Sequence, residues 1–151
     1  MSRRMIHLWI RSEQRKNEKR VGITPQDARK LIGNGIKITV EESADRIIST
    51  EEYHKIGCKV ANQHSWPRAP KDAIILGLKE LSEDVERLEH KHIMFGHAFK
   101  GQTAGLELLK KFKVGNGVLY DLEYLTDPEG RRLAAFGYWA GYAGAAISLK
   151  A

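Results

Sequence analysis

Apolar and polar residues alternate along several short segments of the chain, and glycine, proline or charged residues separate these segments. The first segment runs from Met5 to Arg11 and places Ile6, Leu8 and Ile10 on one face. Residues 36–40 repeat the pattern. Alternation with a period of two residues is typical of β-strands, so both segments are predicted to be strands.

A helix is predicted between these two strands. Thr24 is a suitable cap, Pro25 suits the first helical position, and Asp27 lies three residues after the cap. The Gly-Asn-Gly sequence at 33–35 ends the helix. A strand, a helix and a strand with short joints form a βαβ unit, which predicts a parallel sheet.

The rest of the chain continues in the same way. The pattern predicts a short helix over 51–56 capped by Ser49 or Thr50, strands at 58–61, 73–78, 93–95 and 118–124, a helix over 103–112 and a returning strand at 133–136. We therefore expect a single domain over residues 1–151. Its fold class is α/β, a Rossmann-like or flavodoxin-like open parallel sheet with flanking helices and a terminal glycine-rich helix.

Residues 133–149 contain 17 positions without a charge. A membrane-spanning helix needs about 20 predominantly apolar residues, and glycines and a serine dilute this run. We expect a buried strand followed by a helix whose small residues pack against another domain or subunit, and no membrane contact.

The net charge of +6 is concentrated near the N-terminus, because residues 1–30 hold nine Lys/Arg and three acidic residues. Such a charged region suits nucleic acid or a small polycarboxylate. No aromatic residue interrupts the basic cluster at 11–20, so nucleic-acid binding is the weakest interpretation and is not expected. With Cys58 as the only cysteine and no stretch typical of a secretion signal, a cytoplasmic location is expected.

Two of the predicted strands are followed almost at once by ionisable side chains, Lys79 and His97. Ligand sites of open α/β sheets collect outside the carboxyl ends of the strands. If the strands are neighbours, a desolvated lysine and a histidine would form an acid/base pair suited to carbonyl or imine chemistry. The alternative is a solvated lysine and an ordinary loop histidine.

Arginines and acids add further candidates. Arg20, Arg131 and Arg132 suit binding of carboxylates, while Glu80 and Glu123 suit tuning of a lysine; each of them could equally be a solvated charge. A metal site is not expected, since no acid or cysteine completes a ligand spacing with His90, His92 and His97, which are predicted to be solvated. The chain also lacks a G-x-G-x-x-G sequence and a P-loop, so it is not expected to bind a dinucleotide by itself.

Several stretches resemble a known family. They are Glu18 to Pro25, Ile74 to Glu80, Phe95 to Gln102, Leu119 to Tyr124 and Gly130 to Gly137. They resemble the N-terminal domain shared by alanine dehydrogenase, proton-translocating transhydrogenase and lysine-forming saccharopine dehydrogenase, and the later stretches are most similar to saccharopine dehydrogenase.

The resemblance implies a reaction in which saccharopine, NAD and water give lysine, 2-oxoglutarate and NADH. It implies Lys79 as general base, His97 as general acid, and Glu80 and Glu123 as the acids that tune them. The resemblance also implies which positions contact the substrate and which position faces the cofactor. The substrate positions are Arg20, Lys79, Gln102, Arg132 and Phe136, and the cofactor position is Arg131.

Members of this family continue into a Rossmann domain that binds NAD, which residues 1–151 do not include. The leading hypothesis is the substrate and catalytic half of such an enzyme. It would need an NAD-binding partner chain or domain, or would associate with itself through 133–149. The alternative is a non-catalytic module that binds an amino acid or a 2-oxo acid.

Overall fold

A computed structural model describes residues 5–99, 101, 103–135 and 137–148. Within these residues the strands are β1 (His7–Ile10), β2 (Lys37–Glu41), β3 (Lys59–Ala61), β4 (Ile74–Leu76), β5 (Lys91–Met94) and β6 (Val118–Asp121). The α-helices are α1 (Pro25–Gly33), α2 (Thr50–Lys55), α3 (Thr103–Gly115) and α4 (Gly137–Ser148). Short 3-10 helices lie at Trp66–Arg68 and Leu122–Tyr124.

The strands form one sheet in the order β3-β2-β1-β4-β5-β6, and every neighbouring pair is parallel. This confirms the predicted open parallel sheet. The chain starts in the middle, runs to one edge through β2 and β3, and returns to the other side of β1 with β4. The order therefore reverses between β1 and β4, where the carboxyl ends of the strands leave a crevice in sheets of this type.

The helix starts follow from local capping chemistry. Thr24 accepts the backbone N–H of Asp27 at 3.2 Å, as the sequence predicts for α1. Ser49, and not Thr50, caps α2, and it forms a capping box with Glu52.

Apolar side chains cover both faces of the sheet. On one face Leu8, Ile10 and Val40 pack with the helical residues Ala28 and Tyr53. The opposite face is built from Trp9, Trp66, Ala69, Ala73, Ile75, Leu88 and Phe112. Because β1 contributes to both clusters, it lies at the centre of the core.

The connection from β4 to β5 has no helix or strand over residues 77–90. Parallel strands are usually joined through a helix, which satisfies the backbone polar groups of the crossover. Here those groups must find other partners.

The prediction that His90 and His92 are solvated is wrong. Strand β5 starts two residues earlier than the apolar pattern indicated, at Lys91, and both histidines are buried. The His92 ring meets Trp66 and Phe112 edge-on, with centroids 5.0 and 5.4 Å apart. Burial lowers the pKa of His92 to about 3, so the ring is neutral near pH 7.

The chain divides into two compact units, residues 1–121 and residues 122–151. The predicted strand at 118–124 ends at Asp121, and a 3-10 helix follows. The predicted strand at 133–136 is also wrong for its described residues 133–135, since only Arg132 pairs, with Thr126, in an isolated antiparallel bridge. The assignment of 1–151 to a single domain stays a prediction.

The predicted terminal helix exists as α4, but it is exposed along its whole length. Its large side chains Tyr138, Trp139, Tyr142 and Ile147 are each at least 67% exposed. The expected packing of its small residues against another domain or subunit stays a prediction. No helix in the described ranges has the length and apolar character needed to cross a membrane.

Candidate active site at the carboxyl edge of the sheet

Lys79 and His97 lie at the same edge of the sheet. Each follows the last residue of its strand by three positions, Leu76 for β4 and Met94 for β5. Strands β4 and β5 are parallel neighbours, with Leu76 opposite Ile93, so the condition for bringing Lys79 and His97 to one site is met. The backbone N–H of Phe95 donates to the carbonyl of Leu78 at 3.2 Å and joins the two loops. Both side chains are partly buried.

Arg20 is held by Glu18. The Glu18 carboxylate accepts the backbone N–H of Arg20 at 3.0 Å, its Nε at 2.8 Å and its Nη2 at 2.6 Å. The hydrogen bond from Arg20 is the largest cause that lowers the pKa of Glu18 to about 2, and the charge of Lys79 lowers it further. An ionised carboxylate therefore lies near Lys79 and Arg20, a role for Glu18 that the alternation of apolar and polar residues does not reveal. The Glu-x-Arg spacing was the signal that could have found it.

Glu80 lies between two clefts. One has a volume of about 560 Å³ and is lined by Gln14, Arg15, His64, Glu80, Leu81 and Ser82. The other has about 490 Å³, and Glu80 and Leu81 share it with His97 and the first turns of α3. Arg15 lies 3.4 Å from the Glu80 carboxylate. The structure thus brings Glu80 to the cleft that contains His97.

The remaining predicted site residues belong to the second unit or lie outside the described residues. Arg132 forms an ion pair with Glu123 at 3.1 Å. Glu123 lies on the 3-10 helix Leu122–Tyr124 rather than on the predicted strand. Arg131 pairs with Asp127 at 2.8 Å and with Glu129 at 3.6 Å. Gln102 and Phe136 lie outside the described residues.

A buried carboxylate, Glu41, organises the loop after β1. It accepts the indole N–H of Trp9 at 2.9 Å, the backbone N–H and hydroxyl of Ser12 at 2.8 Å each, and the backbone N–H of His64 at 3.0 Å. Ser12 Oγ also lies 3.0 Å from His64 Nδ1. Ser12 is fully buried and its hydroxyl donates to Glu41, so this Ser/His/Glu arrangement is structural rather than nucleophilic.

The same loop does not fit a dinucleotide. In dinucleotide-binding sheets the turn after the first strand is glycine-rich and presents backbone N–H groups to the pyrophosphate. Here Arg11, Ser12 and Glu13 occupy that turn, and the carboxylates of Glu13 and Glu41 accept the nearby backbone N–H groups. Two carboxylates would repel a phosphate, so this turn does not fit the pyrophosphate of a dinucleotide.

An open parallel α/β domain with Lys79 and His97 at its carboxyl edge is the class of protein that fold and site define. The family model for the alanine dehydrogenase/PNT N-terminal domain matches residues 9–143, and the chain belongs to this family.

Proteins of similar sequence support the assignment to this family. The chain is 49% identical over 143 residues to saccharopine dehydrogenase [NAD(+), L-lysine-forming] of Schizosaccharomyces pombe. The aligned region covers 94% of this chain and 39% of that protein. It is 45% identical over 150 residues to the protein of the same name from Candida albicans, and this alignment covers 99% of this chain and 39% of that protein. The chain thus spans about two fifths of the length of these relatives. The resemblance to lysine-forming saccharopine dehydrogenase is confirmed.

Solved structures support the fold alone. A transhydrogenase from Sinorhizobium meliloti superposes with a TM-score of 0.63 at 21% identity, over 78% of this chain and 35% of that one. An L-alanine dehydrogenase superposes with a TM-score of 0.66 at 15% identity, over 83% and 35%.

Proposed function

We propose that this chain is the substrate-binding and acid/base part of an NAD-dependent oxidoreductase of the lysine-forming saccharopine dehydrogenase type. The observation that carries the proposal is the pairing of β4 with β5, which puts Lys79 and His97 on adjacent loops of one sheet edge. The similarity to the fungal enzymes over 94% of the chain supports the choice of reaction.

The proposed chemistry needs one base and one acid. Hydrolysis of an imine requires removal of a proton from the attacking water and delivery of a proton to the departing nitrogen. Lys79 is the proposed base and His97 the proposed acid. Glu80 lines the cleft of His97, and we assign it the role of tuning the pair, together with Glu123.

The proposed substrate, saccharopine or lysine plus 2-oxoglutarate, carries several carboxylates. Guanidinium groups bind carboxylates through two parallel hydrogen bonds, a role that we give to Arg20 and Arg132. Both side chains are about half exposed and already lie against a glutamate, Glu18 and Glu123 respectively, which fixes their orientation. By similarity we add Lys79, Gln102 and Phe136 as substrate contacts.

We assign NAD to a domain or chain outside these residues, because the turn after β1 does not fit a dinucleotide. Arg131 is the proposed residue that faces the cofactor; its side chain is 78% exposed. The exposed face of α4, within residues 133–149, is the proposed surface for the NAD-binding part or for self-association.

The test is NADH oxidation with lysine and 2-oxoglutarate, by the chain alone and by the chain combined with the NAD-binding part. We expect turnover only in combination, and a loss of about 10²-fold or more in Lys79→Met and in His97→Gln. Lys55→Met and His54→Gln, at exposed positions of α2, are the matched controls. Unchanged activity in both site variants would rule out the assignment, and substrate binding without turnover would favour a non-catalytic module.

A further inference from the structure

The loop that carries Lys79 is held mainly by side chains, because it contains no helix or strand. No helix follows β4, so the backbone groups of Leu78 and Lys79 have no helical partners. Glu13 accepts both N–H groups, that of Leu78 at 2.7 Å and that of Lys79 at 3.0 Å. The Leu78 carbonyl accepts the N–H of Phe95, and the Lys79 carbonyl accepts Nη2 of Arg11. All four backbone polar groups at these two positions are therefore bound.

Arg11 and Glu13 form a buried ion pair beneath this loop. Their side chains are 0% and 8% exposed, and Arg11 Nη1 lies 3.3 Å from Glu13 Oε2. Burial lowers the pKa of Arg11, and the charge of Glu13 opposes that shift. A buried pair of this kind adds little net stability, because desolvation offsets the attraction, but it does fix the geometry of the groups that it contacts.

The chain makes room for this pair at Gly77. A Cβ at that position would lie 2.1 Å from Arg11 Nε and 2.4 Å from Cζ. The guanidinium thus packs directly on the backbone between β4 and Lys79. Only the absence of a side chain permits this approach.

We propose that Glu13 and Arg11 are positioning residues for Lys79, which fix its backbone at the sheet edge, next to the loop that carries His97. The inference rests on the proposed role of Lys79. With both peptide groups bound, only the side-chain torsions of Lys79 remain to be ordered. The contact between Phe95 and Leu78 transmits the same constraint to the loop of His97.

The test uses four variants of the complete protein. Glu13→Gln keeps the volume of the side chain but replaces one of the two accepting oxygens by an NH₂ group, which cannot accept a backbone N–H. Arg11→Met/Glu13→Gln removes both charges, so that no buried charge is left unpaired. Glu13→Asp keeps the charge and shortens the reach. Glu42→Gln, an exposed carboxylate after β2, is the matched control.

Two quantities are measured, the kinetic constants and the hydrogen exchange of individual amides. In all three Glu13 variants we expect kcat to fall by about tenfold to a hundredfold, because small misplacements of a catalytic group are costly. KM should change by less than about threefold, because ground-state binding is retained. The amides of Leu78 and Lys79 should exchange at least about tenfold faster, while those of β1 and β2 stay protected.

Two results would overturn the inference. One is an unchanged kcat in Arg11→Met/Glu13→Gln when Lys79→Met abolishes activity. The other is faster exchange of all core amides by one common factor, with a loss of kcat that equals the unfolded fraction. Full activity of Lys79→Met would instead remove the proposed function itself, which distinguishes the two failures.

Discussion

At the residue scale, the charges around Lys79 are paired with one another within the folded chain. Glu18 binds Arg20 through three hydrogen bonds, Glu13 binds the backbone of Lys79, and Arg15 lies against Glu80. Each of these charged groups is therefore oriented by a neighbour, which would lower the entropy lost on binding the proposed substrate.

The pairing of Glu18 predicts a pH-dependent contribution to stability. Its pKa is about 2 in the folded chain, below the ordinary 4.5, so the contribution is complete above pH 4.5 and is lost as the pH falls towards 2. Glu18→Gln should lower the free energy of unfolding by about 1 kcal/mol at pH 7, since Arg20 is half exposed to water, and by progressively less below pH 4.5.

Urea unfolding of both proteins between pH 7 and pH 2 measures this difference. In an Arg20→Gln background the Glu18 substitution should have little effect, because the main cause of the lowered pKa is gone. A difference between the two proteins that stays constant from pH 4.5 to pH 2 would contradict the prediction.

The close contact at Gly77 predicts a stability cost for a single methyl group. Gly77→Ala places its Cβ 2.1 Å from a guanidinium that is itself buried and bound, and should lower the free energy of unfolding by about 1–3 kcal/mol. Gly33→Ala, at the end of α1 with nothing within 4 Å, should be neutral or stabilising by up to about 1 kcal/mol. Equal unfolding midpoints in urea for the two variants would disprove the proposed crowding.

Lys79 and His97 could be identified as candidates from the sequence because each follows an apolar run. The end of a strand can be predicted from residues that are adjacent in the sequence. Arg11 and Glu13 could not be found in this way. In the sequence they belong to a charged, basic stretch that suggests solvent, and only the meeting of β1 with β4 buries them.

At the element scale, local signals predicted the helices well and the strands less well. The caps Thr24 and Ser49 act on N–H groups within their own next turn, so a short stretch of sequence contains the information. Strand β5 contains only two apolar residues among four, and its histidines look like loop residues until Trp66 and Phe112 are placed around His92.

The burial of His92 predicts acid sensitivity. Its pKa is about 3 in the folded chain and about 6.5 when unfolded, so the unfolded chain binds the extra proton and stability falls as the pH drops from 6.5 towards 3. The loss of stability from protonation of His92 between pH 6.5 and pH 3 is at most about 5 kcal/mol. His92→Leu and His92→Gln should both remove it, although their stabilities at pH 7 will differ because glutamine is polar.

Thermal or urea unfolding from pH 7 to pH 3 tests this expectation. The slope of stability against pH should be smaller in both variants than in the original protein. Identical slopes in all three proteins would show that His92 does not titrate on unfolding in this range.

At the scale of the whole molecule, the two units differ in how their apolar side chains are covered. Residues 1–121 bury apolar residues on both faces of the sheet, whereas α4 exposes its large aromatic side chains. Exposed apolar surface of this kind marks an interaction site in many proteins.

Tryptophan fluorescence can test the proposed partner surface. Trp139 is 69% exposed, whereas Trp9 and Trp66 are 9% and 2% exposed, so acrylamide should quench mainly Trp139. Addition of an NAD-binding part that restores activity should protect it. Trp139→Phe, which removes the accessible signal, is the control. Restored activity with unchanged quenching would mean that α4 is not the covered surface.

The sequence alone determined the fold class, the helix starts and the positions of Lys79 and His97, because alternation, caps and strand ends are properties of adjacent residues. Only the tertiary structure decided the strand order, the burial of Arg11, Glu13 and His92, and the exposure of α4. The burial of Arg11, Glu13 and His92 depends on which strands become neighbours. The physical reason is that solvation of a charged or aromatic side chain is set by residues that are distant in the sequence.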